Sequence, residues 1–187
     1  MSTKVQERRI LGIDPGTTVM GFGVIEGKGR NVRLIDLGIV SMRKMTDPME
    51  KLKHIFEETV RIIETYLPDE MAVEAPFYGK NVQSMLKLGR AQGVVMAAAM
   101  HKNIPICEYS PRKIKQSITG KGSASKEQVA AALPYSLGQK TPIEGKLDAT
   151  DALAVALCHF FQNGNMVGGK SYSGWDAFVR QNPNRLG

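Results

Sequence analysis

The sequence predicts an α/β domain built on a mixed five-stranded sheet with helices on both faces. Three observations carry that reading. Three apolar strands follow one another across short turns, later strands alternate with helical patterns, and 187 residues suit a single core. Residues 9–14 (RILGID) read as a buried strand that stops at the turn Asp14-Pro15-Gly16-Thr17-Thr18. Residues 21–26 form the second strand, the turn at 27–31 reverses the chain, and a third strand runs over 32–42, giving an antiparallel meander.

A helix follows. Asp47 suits its N-cap, Pro48 its first position, and Glu50 can reach back to complete a capping box. Leu52, Ile55, Phe56, Val60, Ile63 and Leu67 recur at helical spacing as one core-facing stripe, and Pro68-Asp69 stops it. Residues 71–74 are a short strand, which Pro76 prevents from continuing as a paired one. A second long helix covers 81–101. Its Gly89, Gly93 and Ala97 lie four apart, so either a second copy of the chain or the protein's own sheet can approach that face closely. Residues 104–108 form the last strand, 111–118 a short basic helix, and 119–124 a loop. Ser125 and Gln128 cap a helix through Leu133, and residues 148–161 form the last helix. Residues 1–8 are expected as a flexible extension, 9–161 as the domain, and 162–187 as a mobile tail rich in Gly and Asn that also carries Trp175 and Phe178.

Charge narrows the partners. The chain has 25 Lys and Arg against 18 Asp and Glu, a net charge of +7. From Lys80 to Lys126 nine basic residues face one acid, Glu108, so the remainder is nearly neutral. A basic region on a neutral body suits a polyanion, although a Lys-rich soluble surface has the same composition. The basic residues are broken up by loops, which argues against a membrane-binding amphipathic helix. No apolar run approaches bilayer length, the polar start lacks a signal peptide's apolar stretch, and two cysteines are too few for a disulfide framework; a reducing, cytoplasmic setting is expected.

Four acids stand out. Asp14 and Glu74 each end an apolar strand, and adjacent strands of an open sheet would place both at one edge. Asp148 and Asp151, spaced i, i+3, share a helix face with Cβ atoms about 5–6 Å apart. Each has an ordinary explanation: a turn residue before Pro15-Gly16, a solvated strand end, or charges that complement a helix dipole. Four carboxylates meeting at one place, however, repel one another unless a cation neutralises them. All-oxygen ligands favour Mg²⁺ or Mn²⁺, and two such ions about 4 Å apart can hydrolyse a phosphodiester held by Lys and Arg. His54, His101 and His159 read as structural or solvated, not as ligands.

The chain opens with Gly12-Ile-Asp-Pro-Gly16 and Gly21-Phe-Gly-Val24. Val73-Glu74 with Phe77-Tyr-Gly-Lys-Asn81, Leu86-Lys-Leu-Gly-Arg-Ala-Gln-Gly93, Pro111-Arg-Lys-Ile-Lys-Gln116, Gly120-Lys-Gly-Ser-Ala-Ser-Lys126 and Asp148-Ala-Thr-Asp-Ala-Leu-Ala154 follow. In these motifs and in their order the sequence resembles one family, the RuvC-type Holliday-junction resolvases. The resemblance implies a ribonuclease-H-like fold, a homodimer, and cleavage of four-way DNA junctions by paired nicks. It implies two Mg²⁺ per site, replaceable by Mn²⁺, held by Asp14, Glu74, Asp148 and Asp151; the place of Asp14 at the end of the central strand leads to the expectation that it is shared between them. The resemblance gives Lys126 a catalytic role beside the scissile phosphate. Phe77 or Tyr78 would stack at the crossover, while Lys80, Asn81, Lys87, Arg90, Arg112, Lys115, Lys121 and Lys126 would contact DNA. The family's RuvA-RuvB branch-migration complex is the implied partner.

Rival readings remain at this level. A ribonuclease-H-like nuclease acting on another nucleic acid shares the metal chemistry. A catalytically silent junction-binding protein could use the same basic segment, but has no reason to set acids at four element ends. Gly12-Ile-Asp-Pro-Gly-Thr-Thr18 also looks like the phosphate loop of sugar kinases and Hsp70-like ATPases, which need a duplicated second lobe for which 187 residues leave no room.

Overall fold

The computed structural model describes residues 7–76, 81–139, 141–143 and 145–164. The chain forms β1 (Glu7–Asp14), β2 (Val19–Lys28), β3 (Asn31–Ser41), α1 (Pro48–Tyr66), β4 (Glu70–Glu74), α2 (Val82–His101), β5 (Ile106–Tyr109), α3 (Pro111–Thr119), α4 (Lys126–Ser136) and α5 (Leu147–Gly164). The sheet order is β3-β2-β1-β4-β5. β1, β2 and β3 pair antiparallel, whereas β4 lies parallel to β1 and β5 parallel to β4, so the expected meander feeds a parallel half.

β1 is central and buried on both faces, which is why its apolar run is continuous. On one face Ile10, Ile25 and Ala72 pack with Leu153, Ala156 and Leu157 of α5, and α3 and α4 close over that helix. On the other, Leu11, Ile13, Met20, Val24, Met71 and Val73 meet Ile55, Ile62 and Ile63 of α1 and Ala91, Val95 and Ala99 of α2.

Several boundaries differ from the sequence reading for local reasons. β1 begins at Glu7 and so takes in the last two residues of the expected extension, where Glu7 and Arg8 pair with Lys28 and Gly27. β5 starts two residues later than expected and runs to Tyr109, because Pro105 has no N–H for the ladder. At α1 the Asp47 carboxylate accepts from the N–H groups of Met49 and Glu50, both at 2.8 Å. The reciprocal capping box is formed instead at α4, between Ser125 and Gln128. That helix continues through Pro134 to Ser136: a proline removes one N–H, while the Leu137 N–H still reaches the Leu133 carbonyl at 3.1 Å.

The Gly89 and Gly93 face of α2 does not pack on the sheet. A Cβ built at either position would meet nothing within 4 Å. The sheet instead receives Ala91, Gln92, Val95, Ala98 and Ala99 of this helix. Among the described residues, no helix is long and apolar enough to cross a membrane. The expected positions of Trp175 and Phe178, and the tail from residue 165, lie outside the described residues.

Candidate active site

The site begins with glycines. Gly12 of β1 pairs with Gly23 of β2, and Gly21 and Gly27 follow the same alternation on the face that carries α5. A Cβ at Gly21 would lie 1.9 Å from the Asp148 carbonyl oxygen, one at Gly12 would lie 2.2 Å from that of Ala152, and one at Gly23 would lie 2.8 Å from Leu153 Cα. The α5 backbone therefore rests directly on the sheet, with Ala149, Ala152 and Ala156 buried in the contact. This direct seating brings the start of α5, and with it Asp148 and Asp151, down to the end of β1.

The parallel register sets Ile13 of β1 beside Val73 of β4, so Asp14 and Glu74 leave the two strands at the same level. Both lie on the α5 face, two residues beyond Gly12 and Ala72 respectively. The Lys126 ammonium, in the first turn of α4, donates to Asp151 Oδ2. A small cleft of about 50 Å³ is lined by Glu74, Lys115, Lys126 and Asp151, with Ile114, Val129 and Ala154 among its apolar lining.

The electrostatics of these groups are coupled. Asp14 is pushed up from 3.8 to about 7, first by burial and then by the charges of Glu74, Asp151 and Asp148, while Lys126 pulls the other way. Burial also raises the Glu74 carboxyl, with the charge of Asp151 adding and Lys126 and Lys115 opposing. For Lys126, burial works against the charged form. The bond and charge of Asp151, with the charges of Asp14 and Glu74, outweigh it and hold the ammonium above its ordinary range.

The basic residues divide between two faces. Arg112, Lys115, Lys121 and Lys126 lie on α3, α4 and the loop between them, and of these Lys115 and Lys126 line the cleft with Glu74 and Asp151. Lys87 and Arg90 are exposed on α2, across the sheet from α5, and so do not join that cleft. Asn81 is already engaged as the N-cap of α2, accepting from the Ser84 N–H at 3.1 Å. Phe77, Tyr78 and Lys80 lie outside the described residues.

His159 is remote from the acids' cleft, as its sequence position suggested. It is buried, bonds to Glu70 through Nε2, and meets the Tyr109 hydroxyl through Nδ1 at 2.8 Å.

The family model of crossover junction endodeoxyribonuclease RuvC matches residues 10–159. This chain belongs to the RuvC family. The RuvC of Christiangramia forsetii is 57% identical over 181 residues, covering 96% of this chain and 93% of that protein. The RuvC of Bacteroides fragilis is 56% identical over 187 residues and the full length of both. A solved structure, T. thermophilus RuvC in complex with Holliday junction substrate, matches with a TM-score of 0.78 and 32% identity, covering 85% of this chain and 96% of that one. The observed five-stranded order and its helical layers are accordingly the ribonuclease-H-like fold of RuvC proteins.

Among the described residues, no three acid, histidine or cysteine side chains are gathered into a ready-made metal cage. The fit to a hard cation lies in the donors themselves. Four carboxylates supply only oxygen, and burial together with mutual repulsion leaves Asp14 and Glu74 reluctant to ionise without a counter-charge. Sequence reasoning found these acids but missed two supports. One is the glycine bed under α5, signalled by Gly12 and by Gly21-x-Gly23. The other is Gln92, a buried carboxamide behind Glu74, for which the sequence offers no signal beyond its place on the inward face of α2.

Proposed function

We propose that this chain is a structure-selective endonuclease that resolves four-way DNA junctions by paired symmetric nicks in recombination and repair. The observation that carries the reading is the meeting of Asp14 and Glu74, at neighbouring parallel strand ends, with Asp148 and Asp151 of α5 and with Lys126. Asp14, Glu74, Asp148 and Asp151 would hold two Mg²⁺, with Mn²⁺ accepted in their place. When bound there, the metals supply Lewis-acid activation of water and neutralise charge at the phosphodiester.

The chain's own groups do the rest. Lys126 offsets charge that builds on the phosphate oxygens as water attacks in line and the P–O3′ bond breaks, leaving 5′-phosphate and 3′-hydroxyl ends. Lys115, which lines the cleft with Glu74, holds the phosphate from the α3 side, and Arg112 and Lys121 extend the cationic surface along the flanking backbone. The apolar lining of Ile114, Val129 and Ala154 limits water at the reacting bond. Phe77 or Tyr78 stacks at the crossover, and Lys80, Asn81, Lys87 and Arg90 contact the junction arms.

One site makes one cut, so paired incision calls for a two-fold dimer. The exposed face of α2 supports it: Val82, Leu86, Gly89, Gly93, Ala97 and Met100 recur at helical spacing, with Val82, Leu86 and Met100 each at least 60% exposed. The dimer works in the cytoplasm beside the RuvA-RuvB branch-migration complex. The deciding assay compares synthetic four-way junctions, linear duplex and a DNA–RNA hybrid with and without Mg²⁺. Symmetric, Mg²⁺-dependent incision of the junction is expected, and preferential cutting of the hybrid would overturn the reading.

A further inference from the structure

We infer that Gln92 is a positioning residue for Glu74, an assignment that rests on Glu74 being one of the metal-binding acids. Gln92 sits on the inward face of α2, only 7% exposed, across the sheet from α5. A carboxamide so deeply buried needs partners, and its nitrogen carries two hydrogens. It donates to Glu108 Oε2 of β5 at 2.7 Å and to the main-chain carbonyl oxygen of Glu74 at 3.4 Å. One side chain thus ties α2 to the ends of both β4 and β5.

The place of this tie gives it its effect. Glu74 is the last residue of β4, and the Ala75 N–H makes the next bond, to the Tyr109 carbonyl at 2.9 Å. Pro76 then follows and has no N–H to donate. Past that point, the strand end would be free to tilt without a support from beneath. The Glu74 side chain leaves on the α5 face while its carbonyl is held from the α2 side. Any tilt of the peptide would therefore swing the carboxylate relative to Asp14 and Asp151. Glu108, the one acid in the basic segment from Lys80 to Lys126, thereby gains a role: its charge strengthens the bond that holds the carboxamide in place.

The test uses the full chain, with three readouts: melting temperature, Mn²⁺ affinity of the DNA-free protein by calorimetry, and the Mg²⁺ concentration for half-maximal junction nicking. Gln92→Ala is expected to weaken Mn²⁺ binding and raise the Mg²⁺ midpoint by roughly tenfold, with a smaller loss of rate at saturating Mg²⁺. The exchange Gln92→Glu with Glu108→Gln separates positioning from stability. It restores a carboxamide–carboxylate bond between α2 and β5, so the melting temperature should recover from that of Gln92→Ala. It leaves no N–H facing the Glu74 carbonyl, so the metal defect should persist. Metal binding unchanged in Gln92→Ala, or restored along with melting in the exchange, would overturn the inference. Wild-type Mn²⁺ affinity in Glu74→Gln would instead overturn the reading of the site on which it rests.

Discussion

Asp14 stands where a carboxylate is uncomfortable, half-buried and beside three other acids, with Lys126 opposing them. Replacing it with asparagine keeps the shape and removes the charge. Asp14→Asn is expected to abolish nicking while junction binding persists, because the Lys and Arg proposed to hold DNA are untouched. The same variant should melt higher than wild type in chelator at pH 8, by on the order of 1–3 kcal/mol, since one repelling charge has gone. Gel-shift, nicking and melting assays on one preparation check all three outcomes, and retained Mg²⁺-dependent nicking would overturn the assignment. Glu70 behaves oppositely. Burial pushes its carboxyl up, but the bond and charge of His159, together with Arg8, more than reverse this and hold it below its ordinary value of 4.5. An acid whose pKa is lowered by folding contributes stability above its unfolded value and loses it as pH falls through the folded value. Glu70→Gln should therefore cost about 1–2 kcal/mol at pH 7. The gap from wild type should close as pH falls below about 4.5, which denaturant melts across that range would show.

At the scale of elements, the site depends on how closely α5 approaches the sheet. Gly21→Ala would press a methyl group to 1.9 Å from the Asp148 carbonyl, so α5 must lift at the end that carries Asp148 and Asp151. The expected result is a loss of roughly 1–3 kcal/mol in stability, as for overpacked cores, and a larger fall in nicking than Gly27→Ala produces. In the latter the atoms nearest the methyl belong to the Phe160 ring, at the other end of the strand from Gly21. Equal losses of nicking at matched stability would separate helix seating from catalysis. This dependence also marks the limit of what the sequence shows. The acids were legible because strand ends and an i, i+3 spacing fix their places with local rules. The glycine bed was not, because Gly21 and Gly23 become a contact surface only once α5 folds back across some 120 residues. Gln92 was hidden for the same reason: its partners lie on two other strands, and only the crossing of α2 beneath β4 brings them together. The sequence reading also ended α4 at Leu133, whereas the helix runs on through Pro134 to Ser136.

For the whole molecule, the two faces of the sheet divide the work. The α5 face holds the acids and the cationic cleft, while the α2 face leaves an apolar stripe uncovered in the single chain. Leu86 lies on that stripe, 60% exposed, so a charge there disturbs no core packing of its own chain. If two copies join through α2, Leu86→Glu sets like charges near the two-fold axis and in an apolar seam, where they cannot be solvated. The expected product is a folded monomer by sedimentation, with unchanged melting at low concentration. Its acids remain assembled, because none of them belongs to α2, so it should still bind Mn²⁺. What it should lose is pairing: a cruciform plasmid would accumulate singly nicked circles, whereas a two-fold dimer would make both cuts before releasing the junction. A variant that sediments as a dimer would place the seam elsewhere. A true monomer that still makes paired cuts would show that symmetry in the product does not require symmetry in the enzyme.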